Sequence, residues 1–320
     1  MWTIDRERTT LEGAGLGLLA AVSVGVLGAL GRRALAPTPA PAWAPHAAAT
    51  TVRAAKRLNN SSALLALSVL ADSSIEHYRG MFFNKIMLLP ILSSALTLGS
   101  SLHGAHDETA VGHRLRHAIA AASACIGLAG GGFHLYNVTK REGGFSWANL
   151  FYSAPLGAPY ALILAGVMGT AAEHVRDSSR GKLRLFDLPV GRTMAVLAAG
   201  GIAGTVAEAS LLHFRGAYHD PFMFVPVTIP PIAAGLIAKA AWERRPRWPR
   251  LTRAWLWLTA AIGFAGSGFH VYGVSRNMGG WRNWSQNVLN GPPIPAPPSF
   301  TGLALAGLAA LDLLQEKRND

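Results

Sequence analysis

Long apolar runs, separated by short polar or glycine-rich stretches, set the pattern of this chain. They fall at about 61–78, 82–103, 116–138, 150–174, 193–214, 221–242, 252–275 and 299–315, with a further run at Leu11 to Leu30 whose only charge is Glu12. Each holds roughly 17–25 residues, enough at about 1.5 Å per residue to cross about 30 Å of hydrocarbon as a helix. The pattern predicts an all-α integral membrane protein of nine transmembrane helices.

Eight of the nine runs form two sets of four. Ala129-Gly-Gly-Gly-Phe-His-Leu-Tyr136 returns as Ala265-Gly-Ser-Gly-Phe-His-Val-Tyr272, an offset of 136. The same offset carries His77, Arg79 and Gly80 onto His213, Arg215 and Gly216. It also carries Met87 onto Met223, Pro90 onto Pro226, and Gly143-Gly144 onto Gly279-Gly280. A register kept from His77 to Gly144 reads as an internal duplication. Four spans per unit is an even number, so the two units run parallel. The expected organisation is an N-terminal span (1–35), a Pro/Ala-rich cytoplasmic linker (36–60) whose stretch from Ala36 to Ala48 is extended, repeat A (61–178) and repeat B (190–320).

Composition agrees with a membrane assignment. Half of the residues are hydrophobic and 14% are charged, against about 25% charged in ordinary soluble domains. The net charge of +12 is carried by the loops and builds no basic face, which argues against a nucleic-acid partner. Its distribution gives an orientation instead. Twenty of the 29 Lys and Arg residues fall on one side and nine on the other. The positive-inside rule then places the N-terminus outside the cell (inner) membrane and the C-terminus in the cytoplasm. The N-terminal run is preceded by Asp5, Arg6, Glu7 and Arg8, which cancel, and followed by Arg32 and Arg33. That is the charge order of a retained span rather than a removed signal peptide. The single cysteine, Cys125, lies in an apolar run and excludes an intrachain disulfide and a cysteine-based zinc site. Pro90 and Pro226 fall inside the expected spans and predict matching kinks.

Both echoed motifs fall at the extracytoplasmic ends of the helices. Gly127, Gly130 and His134 share one helix face by their i, i+3, i+7 spacing, as do Gly263, Gly266 and His270. Glycines below a histidine outline a groove for a flat ligand such as haem b or a quinone ring. The first span of each repeat adds His77 and His213, with Asp72, Glu76 and Arg79 in one copy and Glu208 and Arg215 in the other. Tyr136 and Tyr272 close the motif. Ionisable groups in spans are costly and face a bundle interior or a cavity. Four imidazoles with nearby carboxylates are a donor set for haem, a non-haem metal ion or a quinone headgroup. The alternative for the glycines is close packing of helices, and for the polar groups a structural network.

The cytoplasmic-side residues His103, His106, Asp107, Glu108, His113, His117, Glu173 and His174 are set aside as solvated loop, because the second copy lacks them. No phosphate loop, no GxSxG and no Ser-His-Asp arrangement is present, so soluble-enzyme chemistry is not expected. The expected function is a membrane subunit in electron transfer, with a histidine-rich site, the lipid bilayer around it and an extracytoplasmic redox partner. A membrane transporter and a non-catalytic anchor for an extracytoplasmic partner are the alternatives.

Overall fold

The computed structural model describes residues 45–152, 156–177, 184–185 and 188–316. The N-terminal run at Leu11 to Leu30 and the first part of the linker lie outside these residues. The helices are α1 (Pro45–Arg79), α2 (Leu89–His106), α3 (Arg114–Thr139), α4 (Trp147–Tyr152), α5 (Gly157–Arg176), α6 (Val190–Arg215), α7 (Val225–Trp242), α8 (Pro249–Arg276), α9 (Trp284–Asn290) and α10 (Pro298–Glu316). A two-residue hairpin, Arg184–Leu185 paired with Leu188–Pro189, precedes α6.

Among the described residues, five stretches are long and apolar enough to cross a membrane: Lys85–His106, Arg114–Thr139, Val190–Arg215, Pro221–Trp242 and Pro298–Glu316. The distribution of side chains fits a lipid surround. Leu92, Leu96, Leu128, Phe264 and Phe269 are exposed, while the interior is filled by Ala, Ser, Met and Leu. Large apolar groups outside and small residues between helices are what a bundle in lipid requires, because tails solvate leucine as well as a core does.

Each of two bundles closes as a ring. In the first, α1 packs on α2, α2 on α3, α3 on α5, and α5 back on α1. In the second, α6, α7, α8 and α10 follow the same order. The bundles meet chiefly where α1 lies along α10, the most deeply buried of the five apolar stretches. One ion-pair clamp ties them together. Asp312 on α10 accepts from Arg57 on α1 and from Arg253 on α8, the latter at 2.9 Å.

Three expectations change. The linker's second half is helix, because α1 begins at Pro45, a residue suited to a first turn where no N–H partner is needed. Within residues 45–60 of α1, Ala54, Ala55 and Leu58 are buried in the core. The run at 150–174 is split, its first residues closing α4 and the long helix starting only at Gly157. Pro90 and Pro226 do not kink their helices; they occupy the first turns of α2 and α7, where the missing N–H has no intrahelical partner to lose. Pro230 and Pro231 do lie inside α7.

The connections α1–α2 and α6–α7 have one conformation. Met81 and Phe82 take φ of 58° and 45°, and Ala217 and Tyr218 take 55° and 45°. Phe82 N and Tyr218 N each donate to a histidine carbonyl, His77 or His213, at 3.0 Å. Asn84 and Asp220 then cap single 3-10 turns through their side chains. The turns after α3 and α8 also match: Gly143 and Gly144 have φ of 84° and 58°, and Gly279 and Gly280 have 82° and 50°. Asn149 and Asn287 bond the carbonyls of Gly144 and Gly280. Between these turns and the following helices the offset grows from 136 to 138.

Candidate functional site: the histidine-anchored helix ends

His77 ends α1 and His213 ends α6. Each directs Nδ1 at a carbonyl across its corner, Met87 O at 2.6 Å and Met223 O at 2.8 Å. His270, near the end of α8, directs Nδ1 at Pro293 O at 2.7 Å, in the segment that feeds α10. A carbonyl only accepts, so Nδ1 carries the proton in all three. In the neutral ring this leaves Nε2 as the lone-pair nitrogen, the arrangement that orients metal-bound and acceptor histidines. His134 is half-buried at the matching place on α3 and is likewise engaged. His213 lies close enough to His270 to act on it electrostatically.

Asp72 on α1 and Glu208 on α6 lie near each other at this end, where the two bundles approach. Asp72 feels the charges of Glu76, Glu208 and Arg79. The Glu208 carboxylate lies against Gly157, at the start of α5, where the helix dipole favours an anion. A side chain at position 157 would occupy the space that the carboxylate takes. Arg79 pairs with Glu76, one turn before it, at 2.7 Å. Arg215 lies over the ring of Tyr152, 5.3 Å from its centroid. At +136 from Glu76 stands Leu212, which offers no acid.

The four glycines are not a cofactor groove. A Cβ on Gly127 would stand 2.7 Å from Ile163 N and 2.8 Å from Pro159 O; one on Gly263 would stand 2.8 Å from both Thr301 N and Pro297 O. Gly130 and Gly266 face Pro159 and Pro297. The starts of α5 and α10 fill the space at Gly127, Gly263 and Gly266, so these three serve close helix approach, while Gly130 has only Pro159 Cβ at ordinary contact distance, 3.8 Å. Tyr136 and Tyr272 also leave the site. Both are exposed; Lys140 lies over the Tyr136 ring at 4.2 Å, and Arg276 donates to the Tyr272 hydroxyl at 3.2 Å.

Among the described residues no three His, Cys, Asp or Glu side chains converge as a metal site. A non-haem ion on three such ligands therefore lacks its donor set there. Two imidazoles for haem, or imidazole with carboxylate for a quinone headgroup, remain compatible with the residues present.

At the other end the structure builds what the sequence reading set aside. Arg116 on α3 is buried and forks onto Glu173 of α5, with Nε–Oε1 and Nη2–Oε2 both at 2.9 Å. The same guanidinium donates to Asp107 at 2.7 Å and reaches His103 Nδ1 at 3.0 Å. Glu173 also accepts from His113 N at 2.7 Å. Arg176, equally buried, donates to Gly104 O and Thr109 O. Burial raises the Asp107 pKa, but the Thr109 hydrogen bonds, Arg116 and Arg176 outweigh it and hold the carboxyl at about 2. A cleft of about 610 Å³ opens beside this cluster, lined by Leu102, His103, His106, Asp107, Thr109 and His113. So Glu173 and the half-buried Asp107 belong to an ionic network around the buried Arg116, not to a solvated loop; His103 touches that network from an exposed position, and His106, His117 and His174 are exposed.

The interior of the first bundle also holds a chain of hydroxyl-to-hydroxyl contacts. Ser93 bonds Ser123 at 2.6 Å, Thr97 joins the same hydroxyl, and Ser101 bonds Ser62 at 2.8 Å. The corresponding positions of the second bundle are Ile229, Thr259, Ala233, Ile237 and Ala198. Opposite charges at the start of α3 and the end of α5 were the available sequence signal. Comparison of the two halves discarded it, because the second half lacks the partners.

The chain matches no protein-family model, no curated protein and no solved structure.

Proposed function

We propose that the chain is a multi-pass subunit of the cell membrane, with its N-terminus outside and its C-terminus cytoplasmic. It comprises an N-terminal span and two parallel four-helix repeats, nine spans in all. Its extracytoplasmic end binds a redox ligand of the haem or quinone class and serves electron transfer to or from an extracytoplasmic partner. The observation that carries this reading is the shared state of His77, His213 and His270: Nδ1–H held by a backbone carbonyl, Nε2 left as acceptor. Such a ligand supplies the electron-carrying chemistry. The protein's part is to orient it through Nε2 and to exchange protons through Asp72 and Glu208.

The test is an absorption spectrum and quinone extraction of the purified protein, with His213→Asn and His270→Asn beside it. Asparagine keeps a donor near the position of Nδ1 and removes Nε2. A Soret band or bound quinone that is lost in the asparagine variants, at unchanged thermal stability, supports the site. Protein carrying neither refutes it.

The anchor reading has its own observation. Met81, Phe83, Trp147 and Met278 are 74–92% exposed around the same end, an apolar rim suited to a docked protein. If serine at these four positions removes an attached activity while asparagine at the histidines leaves it, the anchor reading replaces the redox one.

A further inference from the structure

The cytoplasmic connections of the two bundles differ in charge. Asp107–His113, between α2 and α3, holds two acids and no Lys or Arg. Its acids are engaged, Asp107 with Arg116 and Glu108 with Lys56. The equivalent stretch between α7 and α8 reads Glu-Arg-Arg-Pro-Arg-Trp-Pro-Arg, from Glu243 to Arg250. Arg244, Arg245, Arg247 and Arg250 are all exposed. The one acid, Glu243, accepts from the backbone N–H of Arg247 at 2.7 Å, which shapes the loop without covering a guanidinium. Among the described residues none of these four arginines enters an ion pair, whereas Arg253, one turn further, turns inward to Asp312 and Gln315.

The loop has an apolar flank. Trp242 and Trp257 are 75% and 49% exposed, beside Leu258, on the outward surface of α7 and α8. Lys239 lies over the Trp248 ring at 4.1 Å, adding a fifth cation. Indole rings at the headgroup level, with guanidinium groups just beyond and aliphatic side chains below, match a phospholipid in its three layers.

We propose that the Glu243–Arg250 loop is a binding site for anionic phospholipid. The arginines fork onto headgroup phosphates, and the acyl chains lie on Trp242, Trp257 and Leu258. The occupant is membrane lipid rather than free phosphate, because the tryptophan and leucine face has no counterpart in an inorganic ion. The second bundle is thereby held to the bilayer surface where the first is closed by its own ion pairs.

The full chain, purified in a mild detergent, is titrated with phosphatidylglycerol, phosphatidylcholine or inorganic phosphate. Retained lipid is counted by native mass spectrometry and the unfolding temperature is followed. Wild type should retain phosphatidylglycerol selectively and gain stability from it. The variant R244Q/R247Q should bind it roughly 25-fold more weakly, about fivefold for each arginine at about 1 kcal/mol. Its unfolding temperature in phosphatidylcholine should equal that of wild type, which separates lost binding from lost folding. If that variant does not fold, R245Q/R250Q carries the same expectation. Equal retention of the two lipids, unchanged retention in both variants, or an equal gain from inorganic phosphate overturns the proposal.

Discussion

Replacing Glu173 by leucine removes one member of the buried Arg116–Glu173 fork. The side chains of Glu173 and Arg116 are only 2% and 5% exposed, so water cannot replace the lost carboxylate. The guanidinium keeps Asp107 and His103 but loses two charge-assisted bonds of 2.9 Å. Breaking one side of a buried pair costs about 3–5 kcal/mol. With Asp107 still bonded, the lower end, about 3 kcal/mol, is expected. That corresponds to a fall of roughly 6–12 °C in unfolding temperature for a chain of this size. The assay is helical circular dichroism on heating in detergent, for wild type, E173L, R116M and R116M/E173L. The double variant removes both charges of the fork; Asp107, near the surface, can hydrate and remains as an acid facing the buried Arg176, which keeps its carbonyl partners. It should therefore recover most of the loss, since apolar replacement of a whole buried pair is often neutral. A loss below about 1 kcal/mol in E173L, or a double variant as unstable as the sum of the singles, refutes the network as described.

Four further outcomes follow from the same geometry. Asp107 is held at about 2 against an ordinary 3.8, so its contribution to stability is complete above about pH 4 and is lost as pH falls towards 2; the stability difference between wild type and D107N should vanish over that window. Valine at Gly127 or Gly263 must displace the backbone of α5 or α10 and should disrupt folding. Alanine at Gly204 or Gly268, where nothing lies within 4 Å, should be neutral or raise stability by up to about 1 kcal/mol, read in the same thermal assay. Met81→Gly and Ala217→Gly relieve left-handed backbone at exposed corner positions and should each stabilise by about 1 kcal/mol; no gain in either would show that the corners do not carry that strain.

Much of the helical layout was legible in the chain. Apolar run lengths located the helices because the cost of unpaired backbone in lipid allows little else. The offset of 136 located the corners: Gly80 and Gly216, the glycine pairs at 143–144 and 279–280, and His77 and His213 all recur in matching local geometry. Spacing also placed Gly127 and Gly263 on the same face as the histidines. It could not say what stood opposite them. That is decided by where α5 and α10 begin, two elements distant in sequence, and their first turns occupy the space. The tyrosines failed for a related reason, since sharing a motif with histidine does not fix the direction in which a helix face points.

The amino-acid sequence by itself determined the class of the protein, its helices and the paired histidine corners, because these depend on local periodicity and on groups within a few turns of each other. The charge network of Asp107, Arg116 and Glu173 was decided only by tertiary structure. Its members come from three separated segments, and the second half of the chain keeps only one acid, Glu243 for Asp107, with Thr252 and Leu311 in place of Arg116 and Glu173. A pattern that repeats can be read along the chain. A buried ion pair exists only once distant helix ends meet and water is excluded from both charges.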